Sequence, residues 1–193
     1  VGYGAAFSLA SGGNYNTMLG GLAGQTATTA SHNVFVGLLA GQSLTTGSYN
    51  NYIGNYSVAV GGEAGRYASG SNNTFLGYSA GKGGTTSAPF STGTYNTAVG
   101  ALAGGAVTTG LFNTLVGGKA GDALTSGNSN VAIGMQALTA DTLGDRAVAI
   151  GLDALANQNF TSSTDNYNVA IGHSAGKAVT TAQNVTYIGD QAG

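Results

Sequence analysis

The sequence predicts an all-β protein: one parallel β-solenoid over residues 1–193, with about eleven coils of about 17 residues each. Three observations predict it. First, a glycine preceded by an apolar residue recurs eleven times, always with alanine three residues later. Second, the short segments before these glycines are apolar and rich in β-branched residues, which is strand chemistry. Third, glycine supplies 35 of 193 residues, with one proline and 6% charged residues. That composition excludes collagen and charge-expanded disorder.

The anchor glycines are Gly2, Gly20, Gly37, Gly61, Gly77, Gly100, Gly117, Gly134, Gly151, Gly172 and Gly189. Their alanines are Ala5, Ala23, Ala40, Ala64, Ala80, Ala103, Ala120, Ala137, Ala154, Ala175 and Ala192. Most steps between anchors are 16 to 18 residues; three are 21 to 24. A unit this short and this rich in glycine cannot hold a helix hairpin. It can hold one coil, stacked on the next at a strand spacing of ~4.8 Å, so eleven coils make a rod of roughly 50 Å.

Within a unit, the strand comes first. The residue before each anchor is always apolar, from Val1 and Leu19 to Ile171 and Ile188. The residue before that one points to the opposite face, and it too is apolar or aromatic, as at Met18, Phe35, Phe75 and Leu115. A lone thin coil covers only one of these faces. The other leaves an apolar stripe of a kind that soluble monomers rarely expose. Self-association is therefore expected, most simply as a homotrimer about a threefold axis.

The turn follows. A position that accepts only alanine is short of space, and the glycine that follows it in eight of eleven units suits positive φ or close backbone approach. A Thr-Thr-Gly stretch leads to asparagine four residues before the next anchor, as in Asn96–Gly110, NTAVGALAGGAVTTG. Asn16, Asn33, Asn73, Asn96, Asn113, Asn130 and Asn168 share that place. Stacking would align them as a ladder; alternatively each stabilises its own turn. The structural set on which the fold depends is thus typified by Gly20, Ala23, Gly37, Ala40, Gly100, Ala103, Gly117, Ala120, Gly134 and Ala137, with Asn96, Asn113 and Asn130.

Residues 42–57, 82–95 and 156–167 lengthen their coils. Additions to a solenoid map to loops on one face. They carry Tyr49, Tyr52, Tyr56, Phe90, Tyr95, Phe160 and Tyr167, the candidates for contact with a sugar or a protein partner.

Several motifs resemble chemistry. Gly172-His-Ser-Ala-Gly176 and Gly77-Tyr-Ser-Ala-Gly81 match the G-x-S-x-G nucleophile elbow. Sister coils hold GGLAG, GLLAG, GALAG and GGKAG at the same place, so serine is one occupant of a variable site. Near-matches to the phosphate-binding G-x-x-x-x-G-K-[ST] pattern around Lys82 and Lys177 lack its spacing and its Ser or Thr. Acidic residues fall in no coil-to-coil register, so neither a calcium roll nor a metal site is expected; nor is a cofactor or catalysis. Adjacent threonine pairs such as Thr108-Thr109 point opposite ways, which argues for turns over an ice-binding face. A net charge of −2 with five scattered basic residues gives no footprint for nucleic acid, and no apolar run is long enough to span a bilayer.

Residues 129–156, SNVAIGMQALTADTLGDRAVAIGLDALA, resemble the head repeats of YadA-like trimeric autotransporter adhesins. The repeated V-A-I-G at Val131–Gly134, Val148–Gly151 and Val169–Gly172 carries the likeness. The N-T-x-x-G-x-x-A-G form at 96–110 and 113–127 is similar to repeats of phage tail fibres. The resemblance implies a left-handed β-roll, three chains around one axis, and a role in attachment or as a shaft. The unit here is longer than the usual adhesin head repeat. Because the sequence begins and ends inside a repeat, it is expected to be a segment of a longer fibre protein, extracellular, on a cell surface or on a virion. The competing expectations are a filament subunit without a receptor, an ice-binding solenoid and a fibre-borne hydrolase.

Overall fold

A computed structural model describes residues 16–25, 34–36, 58–84 and 91–193. Its strands, in chain order, are β1 (Thr17–Leu19), β2 (Val34–Val36), β3 (Val58–Val60), β4 (Thr74–Leu76), β5 (Thr97–Val99), β6 (Thr114–Val116), β7 (Val131–Ile133), β8 (Gly144–Asp145), β9 (Val148–Ile150), β10 (Thr164–Asp165), β11 (Val169–Ile171) and β12 (Thr186–Ile188). All but β8 and β10 form one ten-stranded sheet, every pair parallel and in the register of the anchors. Parallel neighbours joined by whole coils make the chain a parallel β-solenoid. From Gly61 to Gly189 it runs through eight successive turns. The coil expected around Gly2, together with Gly37, Ala40, Tyr49, Tyr52, Tyr56 and Phe90, lies outside the described residues.

Each strand of the ten-stranded sheet is three residues long, and only its middle residue faces inward. Ala59, Phe75, Ala98, Leu115, Ala132, Ala149 and Ala170 are buried, while their flanking residues are exposed or half-exposed. The chain then turns at the anchor glycine, whose φ lies between 125° and 140° in every described coil. A Cβ at Gly117 would meet the Gly134 carbonyl oxygen at 2.5 Å, so both conformation and space demand glycine there. The alanine three residues on is fully buried at Ala23, Ala64, Ala80, Ala103, Ala120, Ala137, Ala154 and Ala175. It points into a core too thin for a larger side chain.

The position after that alanine is left-handed, with φ of 53° to 61° at Gly24, Gly65, Gly81, Gly104, Gly121 and Gly176. Leu138 and Leu155 occupy it at φ 55° and 49° and are fully buried. These are the two exceptions to the glycine rule in the described coils, and they have a packing cause. Where the strand centre is large, as at Phe75 and Leu115, its side chain lies over the glycine; a Cβ at Gly121 would meet Leu115 Cδ2 at 2.8 Å. Where the strand centre is Ala132 or Ala149, leucine fills the same space from the turn.

Hydrogen bonds tie the coils together around much of their circumference. Gly117 N–H donates to Val99 O and Lys119 N–H to Ala101 O, toward the preceding coil. Thr114 N–H donates to Asn130 O and Gly121 N–H to Ala137 O, toward the following one. Among the described residues no helix is long and apolar enough to cross a membrane.

Candidate functional site

The inner asparagines are structural. Asn113 Oδ1 accepts the N–H of Asn130 at 2.9 Å, and its Nδ2 donates to Gly127 O at 2.8 Å. Asn73, Asn96, Asn130 and Asn168 repeat this pair of bonds to the next coil. The ladder thus runs mainly from amide to main chain. A direct amide-to-amide bond joins Asn113 Nδ2 to Asn96 Oδ1 at 3.0 Å.

At position 147 the column holds alanine. A buried polar network takes over. Asp141 Oδ1 accepts from Gly144 N at 3.0 Å and Phe160 N at 3.1 Å; its Oδ2 accepts from Gln158 Nε2 at 2.6 Å. Gln158 Oε1 then accepts from Asn168 Nδ2 at 2.8 Å. Asp141, Gln158 and Asn168 are fully buried, at or across from sites where other coils place Val107, Leu124 and Val179. The bond to its backbone draws the start of the enlarged loop inward. Phe160 is only 5% exposed as a result, so it leaves the set of candidate surface contacts.

Two other candidates, Tyr95 and Tyr167, lie five residues before their anchors. That column reads Tyr95, Phe112, Ser129, Arg146 and Tyr167 in successive coils, all exposed and all with φ between 52° and 62°. Each of the middle three donates its N–H to the preceding coil in the same way: Phe112 to Thr94 O, Ser129 to Leu111 O, Arg146 to Asn128 O. The rings of Tyr95 and Phe112 stack with centroids 5.1 Å apart and planes 14° apart. The guanidinium of Arg146 sits 5.7 Å above the Tyr167 ring and pairs with Asp165, whose other oxygen takes the Tyr167 hydroxyl at 3.3 Å. Sequence reading placed Tyr95 and Tyr167 in separate loops. It missed Phe112 and Arg146, although their common distance from the anchors would have aligned all four.

Among the described residues, the outward face of the sheet forms a continuous apolar surface. It carries Val99, Val116, Ile133, Ile150 and Ile171 in one column and Val131, Val148 and Val169 in the next, all partly exposed. Tyr78, Met135 and Leu152 extend it past the anchor glycines at 59%, 54% and 38% exposure. Ala101 and Gly118 leave a hollow of about 310 Å³ between them, edged by Leu102, Lys119, Met135 and Gln136. The eight turns make this stripe about 34 Å long at a strand spacing of ~4.8 Å.

Charges gather beyond that stripe in a repeated geometry. Lys82 Nζ meets Glu63 Oε2 at 2.7 Å, and Lys177 Nζ meets Asp153 Oδ2 at 2.7 Å. In both pairs the lysine stands five residues after its anchor and the acid two after the anchor of the preceding coil. The Lys82 bond holds the Glu63 carboxyl below its ordinary range, helped by Arg66 and Ser79 and opposed by partial burial.

The serine motifs occupy the same rim. Ser174 Oγ lies 3.3 Å from His173 Nε2, and His173 Nδ1 lies 2.7 Å from Asp190 Oδ1. The order is that of nucleophile, base and orienting acid. However, the N–H groups of Ser174, Ala175, Gly176 and Lys177 all donate to backbone carbonyls, so none is left to stabilise an oxyanion. Ser79 donates instead to Glu63 Oε2 at 3.4 Å. Thr108 and Thr125 hydroxyls donate to main-chain carbonyls of the next coil. No group of acidic or histidine residues among the described residues could hold a metal ion.

No protein-family model, curated protein or solved structure matches this chain.

Proposed function

We propose that the chain is a structural and adhesive segment of an extracellular fibre, on a cell surface or virion, and that it works as a homotrimer. The observation that carries this reading is the outward sheet face. A column of valine, leucine and isoleucine about 34 Å long, from Val60 to Ile188, is out of place against water. A second and third copy of the same rod would cover it along its whole length. The rod would continue as a left-handed roll of eleven coils, stiffened by ladder hydrogen bonds, with the enlarged coils facing outward to a host glycan or protein. No catalysis, cofactor, nucleic acid or membrane insertion enters this reading. The backbone N–H groups around Ser174 are taken by carbonyls, and the Thr108 and Thr125 hydroxyls bond within the fold.

The test is the oligomeric state. In mass photometry the chain should run as a trimer, and Val116→Glu with Ile133→Glu should shift it to monomer while the β-rich circular dichroism spectrum persists. A wild-type monomer at micromolar concentration would overturn the trimer. Open-ended particles that lengthen with concentration would replace it with a filament subunit.

A further inference from the structure

We propose a saccharide-binding slot on the solenoid corner, between Phe112 and Arg146 and floored by Ser129. This deepens the adhesive reading above, on which it rests, by naming the chemistry contacted and the residues that contact it. The corner column is partly stacked. Tyr95 covers one face of the Phe112 ring. The opposite face looks toward the next coil, where the column holds Ser129, which is exposed and too short to cover it. One coil further, the Arg146 guanidinium caps Tyr167 on one side. Its other side looks back toward Ser129. The column is thus interrupted at one level between two planar groups.

The height of the interruption selects the guest. Two strand spacings separate the levels of Phe112 and Arg146, about 9.6 Å. Subtracting half a contact distance for each wall leaves about 6 Å, where a flat ring needs about 3.5 Å. A flat aromatic group would rattle in such a gap. A puckered pyranose, with hydrogens projecting from both faces, fills it. Its apolar C–H face would meet Phe112, in the way that aromatic faces attract partially positive hydrogens. Its hydroxyls would find the Ser129 hydroxyl, which has no partner among the described residues, and the donors of Arg146 that Asp165 does not use. Asp165 and Tyr167 hold the guanidinium in place before any ligand arrives.

The experiment is saturation-transfer-difference NMR on the full chain. The probes are methyl α-mannopyranoside, methyl β-glucopyranoside and methyl β-galactopyranoside, with phenol as the flat-ring comparison. At least one pyranoside should show transfer to its ring C–H protons. Ser129→Phe, which continues the stack through the gap, and Phe112→Ala, which removes a wall, should each reduce that transfer at least about tenfold while leaving circular dichroism unchanged. Three results would overturn the slot: no transfer to any pyranoside, transfer to phenol alone, or transfer undiminished by Ser129→Phe. Mass photometry on the same samples separates the two proposals. A monomer that still takes sugar refutes the trimer and keeps the slot. A trimer that dissociates on Ser129→Phe assigns the corner to the subunit interface and ends the slot.

Discussion

At the level of single residues, the inner asparagine is the most exacting polar position in the unit. Asn113 satisfies two buried main-chain groups of the next coil at once, the N–H of Asn130 and the carbonyl of Gly127. Leaving a buried polar group unpaired costs about 1–3 kcal/mol each. Asn113→Ala should therefore lower the unfolding free energy by about 3 kcal/mol. Thr109→Ala, which removes only an exposed bond to Ser126, should change it by less than about 0.5 kcal/mol. Urea midpoints of the two variants test the contrast, and equal midpoints would deny the asparagine its role. That asparagines would stack was legible in the sequence, because their distance from the anchor glycine is constant. That each reaches mainly for backbone rather than for the next amide was not. Both arrangements give the same spacing, and only the depth of the side chain distinguishes them.

Other residues were illegible for a different reason. Gln136, Lys119 and Asp153 all sit two residues after their anchors with φ of 57°, a conformation that non-glycine side chains adopt at some cost. Nothing in their identities signals it. Inter-coil bonds such as Lys119 N–H to Ala101 O impose it from outside. Local propensity gives way to the stacking of the neighbours.

At the level of the element, each coil must fill a core of fixed width; where strand centre and turn are both small, as at Ala98 and Gly104, Leu115 of the next coil reaches over the glycine, and two other coils fill their own space in opposite ways. Leu115 with Gly121 places the bulk on the strand; Ala132 with Leu138 places it on the turn. The two sites should therefore be coupled. Leu138→Gly alone opens a cavity costing about 2–5 kcal/mol. Ala132→Leu alone overpacks by about 1–3 kcal/mol. The double variant should be less destabilised than their sum by at least about 1 kcal/mol, as expected for residues sharing one space. A double-mutant cycle in urea measures this directly, and strict additivity would refute the exchange. The sequence showed leucine breaking a glycine column. Why it could do so became clear only once the strand centre and the turn were seen to compete for the same volume. The enlarged coils were likewise visible as insertions, yet the inward pull of Asp141 on Phe160 was not, since it depends on a bond spanning 19 residues.

At the level of the whole molecule, contacts reach one coil up and one coil down. Stability in such an array is a sum of nearest-neighbour terms. The weakest seam by sequence is at Ala147, where the asparagine ladder lapses and the Asp141–Gln158–Asn168 network replaces it. Asp141→Ala would strand three donors in the interior. Hydrogen exchange read by mass spectrometry should quicken over residues 138–170, by about tenfold or more, while residues 97–117 keep their protection. A uniform loss along the rod would mean that the coils unfold as a single block and that the seam has no local character.

The cross-section has a genetic consequence. Because Gly100, Gly117, Gly134 and Gly151 stand at equal steps of 17 residues and the Asn96, Asn113 and Asn130 coils offer the next coil the same pair of asparagine bonds, a tandem duplication or loss of one such stretch away from the Ala147 seam leaves these contact types intact. Recombination between these stretches of equal length would lengthen or shorten the shaft by about 4.8 Å at a time. The distance between its two ends is thus a quantity that heredity can adjust in whole steps without redesigning a single turn.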